Sequence, residues 1–177
     1  MLSYQHAFHA GNHADLLKHF VLAFTLNSLN RKDKPYTFFD THSGSGIYDL
    51  LDNRSLKTGE AQKGILTLLK ANQKIPDELC FYFDFVKSFV YKNLYPGSPL
   101  FELSLMRKTD TLVLSELHPA EIENLKAMVK EYKNDKNPVV QIHSRDGWEM
   151  INALIPPKTK RGAVLIDPSY EETQDYL

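Results

Sequence analysis

A doubly wound α/β sheet is the fold class this sequence predicts, on three observations. Four short apolar runs, at residues 36–39, 112–115, 139–142 and 164–166, read as strands, and each stops at a polar group: Asp40, Glu116, His143 to Asp146, and Asp167. Helical patterns at 119–132 and 147–155 lie between the later runs, so the second half reads β-α-β-α-β. The first run enters a glycine-bearing turn, Asp40-Thr41-His42-Ser43-Gly44-Ser45-Gly46. Alternation of this kind argues for parallel strands, and the ligands of such sheets bind beyond the carboxyl ends of the strands.

The amino-terminal elements come first. Residues 3–19 form a polar opening that holds four of the seven histidines. From Asn12 or His13 the pattern turns helical, with a stripe of Leu16, Leu17, Phe20, Val21, Phe24 and Leu29 that ends at Arg31-Lys32-Asp33-Lys34-Pro35. The strand at 36–39 follows. More than sixty residues then separate Gly46 from Thr111, whereas a parallel crossover needs only about a dozen, so an insertion is expected. It is read as helices near 58–70 and 77–91, although Phe81, Phe83 and Phe85 also alternate like a strand. Tyr95-Pro96-Gly97-Ser98-Pro99 then reads as a turn feeding a helix at about 99–107. The expected organisation is one domain, 1–177: an N-terminal motif and helix at 1–35, a first strand and cofactor loop at 36–49, a helical insertion at 50–95, and the remaining βα units at 96–177.

Composition narrows the class. The chain has 177 residues, 42% of them apolar and 24% charged, the balance of one ordinary globular domain. A net charge of -1 offers no global attraction to nucleic acid, so any such surface must be a local patch. The single cysteine, Cys80, excludes an internal disulfide framework and a Cys-rich zinc site, and its apolar neighbours Leu79 and Phe81 predict a buried thiol. The opening residues have no basic stretch followed by a long apolar segment, and no run reaches the roughly 20 apolar residues of a membrane span. A cytoplasmic protein is expected.

The strand ends carry the chemistry. Gly44 and Gly46 suit a loop that lets a cofactor approach the backbone. The dinucleotide fingerprint fails, because its third glycine and the following strand-end acid are missing. Glu116 can accept hydrogen bonds from the two ribose hydroxyls of a nucleoside cofactor, or stand as a solvated strand-end acid. Asp146, followed by Gly147, can accept from the amino group of a cofactor adenine, or cap the next helix. In Asp167-Pro168-Ser169-Tyr170 the Asp167 carboxylate and the Pro168 carbonyl can both accept from an exocyclic amine. Tyr170 offers a face on which a planar base stacks, although the same tetrad also reads as a plain turn. His6, His9 and His13 suggest a metal cluster, but the Gly11-Asn12 break and the lack of a completing carboxylate argue against one. A substrate-facing segment is the better reading, with Tyr4 available to stack and Lys18 to meet phosphate or carboxylate.

In order, Asp40-x-x-x-Gly44-x-Gly46, Glu116, Asp146-Gly147 and Asp167-Pro168-x-Tyr170 resemble the motif series of class I N6-adenine methyltransferases. The opening His-Ala-Gly-Asn-His-Ala-Asp-x-Leu-Lys-His, with Tyr95-Pro-Gly-Ser-Pro-Leu and Ser-Glu-Leu-His-Pro, is similar to the RlmJ family of 23S ribosomal RNA adenine-N6 methyltransferases. That resemblance spans the chain and implies a Rossmann-like fold, S-adenosylmethionine as cofactor, 23S ribosomal RNA as partner, no metal, no membrane and a monomer. It implies cofactor contacts at His19, His42, Ser98, Glu116, Asp146, Gly147 and Asp167, catalytic work at Asp167, Pro168 and Tyr170, and substrate contact at Tyr4. Two departures stand out. Ser169 replaces a second proline of the family motif, which loosens the turn, and the family fold continues past Leu177 with further strands, so a partial domain is expected. Three rivals follow: a DNA-directed adenine methyltransferase or DNA-utilisation protein, since related sequences are linked to catabolism of external DNA; a weakened homologue that binds RNA and cofactor without transfer; and a metal-dependent nuclease built on the histidines.

Overall fold

A computed structural model describes residues 5–71 and 74–169. Four parallel strands, β1 (Thr37–Asp40), β4 (Thr111–Ser115), β5 (Val139–His143) and β6 (Gly162–Leu165), form a sheet in the order β5-β4-β1-β6. Their register aligns Thr37 with Thr111 and Gly162 at one end, and Asp40 with Leu114 and Leu165 at the other. All four carboxyl ends therefore face the same way.

Side chains alternate across a strand, so neighbours in β1 serve opposite faces. Phe38, with Leu112 and Leu114, packs under α1 (His13–Asn30), α5 (Asp77–Val90), α6 (Ser98–Leu105) and α7 (Pro119–Tyr132), in a core that includes Leu26, Tyr82, Phe101 and Leu125. Phe39 points the other way, joining Val113 and Met150 of α8 (Gly147–Leu154). Local chemistry sets the helix starts. Asn12 accepts from the Asp15 amide (2.9 Å) to cap α1, and the His118 ring accepts from the amides of Ala120 and Glu121 to cap α7, with Pro119 in its first turn.

The connection after the first turn is where the sequence expectation needs correction. Two three-residue strands, β2 (Ile47–Asp49) and β3 (Leu94–Pro96), pair antiparallel and close the insertion at its base. Between them lie short helices α2 (Asn53–Thr58), α3 (Glu60–Lys63) and α4 (Ile65–Lys70), then α5. The stretch 50–95 is thus not purely helical, since it ends in a strand. The alternation of Phe81, Phe83 and Phe85 gives way to a helix because Leu79, Tyr82, Phe83, Val86 and Val90 recur at helical spacing and all pack on the core. Cys80 falls at the edge of that face and is half-buried, not buried, with its thiol directed at the Pro76 carbonyl 3.6 Å away. Among the described residues no helix is long and apolar enough to cross a membrane.

The amino ends of the strands are held by one buried carboxylate. Asp110 accepts from the amides of Tyr36 (3.1 Å) and Arg107 (3.0 Å) and from the Arg107 guanidinium. Arg107 and Arg161 each lie 5.6 Å from the centre of the Tyr36 ring, and both donate to backbone carbonyls of Lys32 and Lys34. Replacing Asp110 with Ala strands two amides and a guanidinium, which is expected to cost about 3 kcal/mol. A urea melt of Asp110→Ala checks this, and an unchanged midpoint contradicts it.

Candidate functional site

The carboxyl ends of the four strands come together around the loop Thr41–Gly46. Gly44 and Gly46 both have positive φ (59° and 76°), and a side chain at Gly46 would strike Met128 of α7. Glycine is therefore required there, where the chain packs closely under α7. Glu116, just past β4, accepts from the Gly44 amide with one oxygen (2.7 Å) and from the His118 amide with the other (2.7 Å). It is a half-buried brace for the loop as well as a strand-end acid.

Asp146 caps α8, accepting from the amides of Trp148 (2.8 Å) and Glu149 (3.0 Å), so the capping role expected of it is realised. Gly147 lies against the backbone of Thr41, where a larger residue would collide. His42 shares a hydrogen bond with the Thr41 hydroxyl (2.7 Å) and meets Trp148 edge-on, ring centres 6.3 Å apart. His42, Asp146, Gly147 and the exposed Trp148 thus form one wall of the loop.

On the other side, Lys18 joins two carboxylates. Its ammonium lies 2.6 Å from Asp167 and 2.9 Å from Asp15. Asp15 also accepts from the His6 ring (2.9 Å) and the Gly11 amide (2.9 Å). Burial by itself raises the Asp15 carboxyl, but His6 and Lys18 outweigh it and hold the group well below the usual carboxylate range. The same balance acts on Lys18: burial opposes the ammonium, while Asp15 and Asp167 keep it above its ordinary value. Of the two partners expected for Lys18, phosphate and carboxylate, the structure supplies carboxylate twice. Pro168 is buried, and Asp167 and Ser169 are half-buried.

Two expected cofactor residues lie deeper. His19 is 1% exposed, bonded to the Tyr95 hydroxyl (3.0 Å) and packed on Phe101. Burial, helped by Lys18, pushes its ring down to about 3, so it is a neutral histidine of the core. Ser98 opens α6 and is also buried, its hydroxyl close enough to the Asp40 carboxyl to favour the charged form. Tyr4 and Tyr170 lie outside the described residues. The histidine cluster serves other partners: His6 goes to Asp15, while His9 meets Glu60 of α3 (2.9 Å), which also accepts from Asn12. Among the described residues no three potential ligands are grouped to hold a metal.

Sequence reasoning missed Asp15 and Trp148. Asp15 stands three residues before Lys18, a spacing that places both on one helix face. Trp148 is the only tryptophan and directly follows the Asp146-Gly147 pair. Either signal was available.

A parallel sheet with a glycine loop, a strand-end carboxylate and an Asp-Pro turn at its carboxyl edge is the architecture of a Rossmann-like methyltransferase. The comparisons with known proteins go further. The model of the family described as "Ribosomal RNA large subunit methyltransferase D, RlmJ" matches residues 33–177, and the chain belongs to that family. It is 42% identical over 179 residues to "Ribosomal RNA large subunit methyltransferase J" of Escherichia coli (strain K12). It is 44% identical over 180 residues to the protein of that name from Haemophilus influenzae (strain ATCC 51907 / DSM 11121 / KW20 / Rd). Each alignment covers 99% of this chain and 62% of the relative, so the chain spans about three fifths of their length. Among solved structures it is similar to protein LPL1258 of Legionella pneumophila str. Philadelphia 1, with a TM-score of 0.82 and 39% identity over 95% of this chain and 61% of that one.

The Asp15 ion pairs imply an acid-side loss of stability. A carboxyl whose folded pKa is depressed contributes fully above its unfolded value, about 3.9, and its contribution disappears as pH falls through the lower folded value. Asp15→Asn is therefore expected to lower the melting temperature at pH 6 to 7 and to converge with wild type toward pH 2. Equal separation of the two melting curves at every pH contradicts the network.

Proposed function

We propose that the protein transfers a methyl group from S-adenosylmethionine to the exocyclic N6 of an adenine in large-subunit ribosomal RNA. The observation that carries this reading is Asp167-Pro168 held at the end of β6 by Lys18, across the sheet edge from the glycine loop and Glu116. Family membership and the names of the relatives support it.

The site fits a nucleoside donor. His42 and Gly44 are partly exposed in the loop, Glu116 has lone pairs left for ribose hydroxyls, and Asp146 and Trp148 offer an acceptor and a ring face for an adenine. His42 and Ser98 lie along the same loop. When bound, S-adenosylmethionine supplies an electrophilic methyl on a sulfonium. The chain's own residues present the nucleophile. The N6 lone pair of adenine is delocalised into the ring, so the amine must be held and oriented. Lys18 takes Asp167 Oδ2, leaving Oδ1 and the Pro168 carbonyl to accept the two N6 protons, one of which leaves to solvent as the methyl bond forms. Tyr170 supplies the stacking face, and Tyr4 a second contact to the base.

Phosphate contact falls to Arg31, Lys32 and Lys34, all exposed at the far end of α1. That end lies about 20 Å from the Asp167 side, because Asp167 is held by Lys18, thirteen residues of helix before Arg31. An RNA that reaches both must therefore run along α1. Removing the three cations is expected to reduce the slope of log affinity for RNA against log salt by about 2 to 3, at about 0.7 to 0.9 per phosphate contact. An unchanged slope contradicts this assignment. Glu116→Ala is expected to weaken donor binding about 10- to 100-fold by calorimetry, and undiminished affinity removes Glu116 from the site.

The decisive experiment is transfer of labelled methyl to unmodified 23S ribosomal RNA, using this chain and the chain extended by the part of a relative it does not span. Label recovered as N6-methyladenosine, and lowered at least about 100-fold by Asp167→Ala, is the expected result. Label in DNA alone, or none from either form, contradicts the proposal.

A further inference from the structure

Beneath the glycine loop lies a pair of acids that the methyl-transfer reading does not use. Asp40, the last residue of β1, and Glu102, in α6 one turn beyond Ser98, are each fully buried. Asp40 Oδ1 accepts from the His42 amide (3.2 Å), and the nearby Ser98 hydroxyl favours the charged form of this carboxyl. Neither oxygen of Glu102, nor Oδ2 of Asp40, has a hydrogen-bond partner among the described residues. The two carboxyls lie close enough to act on each other, Asp40 raising Glu102.

Two acceptors without a proton between them repel. At this depth, with Phe101, Leu100 and Leu103 adjoining in α6 and Phe38 in β1, an additional buried charge is costly. The groups facing the pair are few. Lys18 and Asp167 act on Asp40 from the strand-end side with opposite signs, and the Tyr36 phenol faces Glu102. Lys18 is already shared between Asp15 and Asp167. One proton held between the carboxyls satisfies both orphaned edges and leaves a single anion.

We propose that Glu102 is a positioning residue: it is kept protonated and donates its carboxyl O–H to Asp40, fixing Asp40 as the acceptor that sets the His42 backbone and the Ser98 hydroxyl. The functional half of this inference rests on the donor-site reading above, since His42 and Ser98 line that site. The proton itself does not depend on it.

Burial raises both acids, Asp40 to about 6 and Glu102 well above its ordinary value of 4.5, with Asp40 adding to the latter. For a carboxyl whose folded pKa is raised, the native state holds a proton that the unfolded chain has released. Its stabilisation is complete below the unfolded pKa and declines as pH rises toward the folded one. The window thus opens near pH 4.5 and runs upward through 6.

Glu102→Gln keeps a donor, the amide N–H, but cannot titrate, whereas Glu102→Leu removes the donor. In wild type at pH 7 an infrared band of a protonated carboxyl is expected, absent from E102Q. The melting temperature of E102Q should rise relative to wild type as pH goes from 5 to 9. Affinity for S-adenosylhomocysteine should be kept within about threefold in E102Q and weakened about tenfold in E102L, the cost of an unpaired buried acceptor. A wild type without the infrared band, or melting curves of wild type and E102Q that stay parallel across pH, overturns the shared proton. E102L that binds as tightly as wild type overturns the positioning role. Failure of wild type itself to bind S-adenosylhomocysteine sinks the donor-site reading and the positioning role with it, while the infrared and melting results still decide the proton.

Discussion

The Lys18 ammonium draws two carboxylates that lie 152 residues apart in sequence, Asp15 and Asp167, onto one point. Three charges leave water together there, with side chains 18%, 2% and 35% exposed, and burying ions in that way is costly unless each finds its partners. They do. Asp15 has three donors, the His6 ring, the Gly11 amide and Lys18, and Lys18 has both acids. Because the desolvation has been offset within the network, losing any member strands the others. The amino-terminal turn, the start of α1 and the end of β6 are therefore fixed as one unit, and the Glu60 contacts of His9 and Asn12 extend it to the insertion.

The parallel sheet does the complementary work. Its register places the carboxyl ends of β5, β4, β1 and β6 side by side, so groups far apart in the chain become neighbours without any one element carrying them all. The opposite ends are locked by Asp110, Arg107 and Arg161, far from the loop. The candidate site and this second lock thus occupy opposite ends of the same strands. The insertion costs little, because β2 and β3 pair at its base and bring its two ends together, and loop-closure entropy rises only slowly with length.

Much of this was legible in the sequence where a physical rule leaves a pattern. Apolar runs stopping at Asp40, Glu116 and Asp167 mark buried strands and their ends, and Pro119 followed by helical spacing marks α7 with the bounds observed. The rest left no local trace. Three residues are too few to show the alternation of β2 or β3, and Phe81, Phe83 and Phe85 obey two periodicities at once, with tertiary packing deciding between them. Lys18 gives no hint of a partner at 167, and Glu102 reads as an ordinary acid in an amphipathic helix although it is wholly buried. His19 closes a polar segment, yet it sits on the inner face of α1 against Tyr95.

The central claim is that the strand ends form a single site, with a donor over the glycine loop and the acceptor amine at Asp167. A crystal structure of the protein with S-adenosylhomocysteine and adenosine monophosphate tests it most directly. The account predicts the donor's ribose at Glu116, its adenine near Asp146 and Trp148, and the second adenine with its amine toward Asp167 while Lys18 keeps its grip on that carboxylate. Donor density away from the Thr41–Gly46 loop, or Asp167 turned out of the site in the complex, contradicts it.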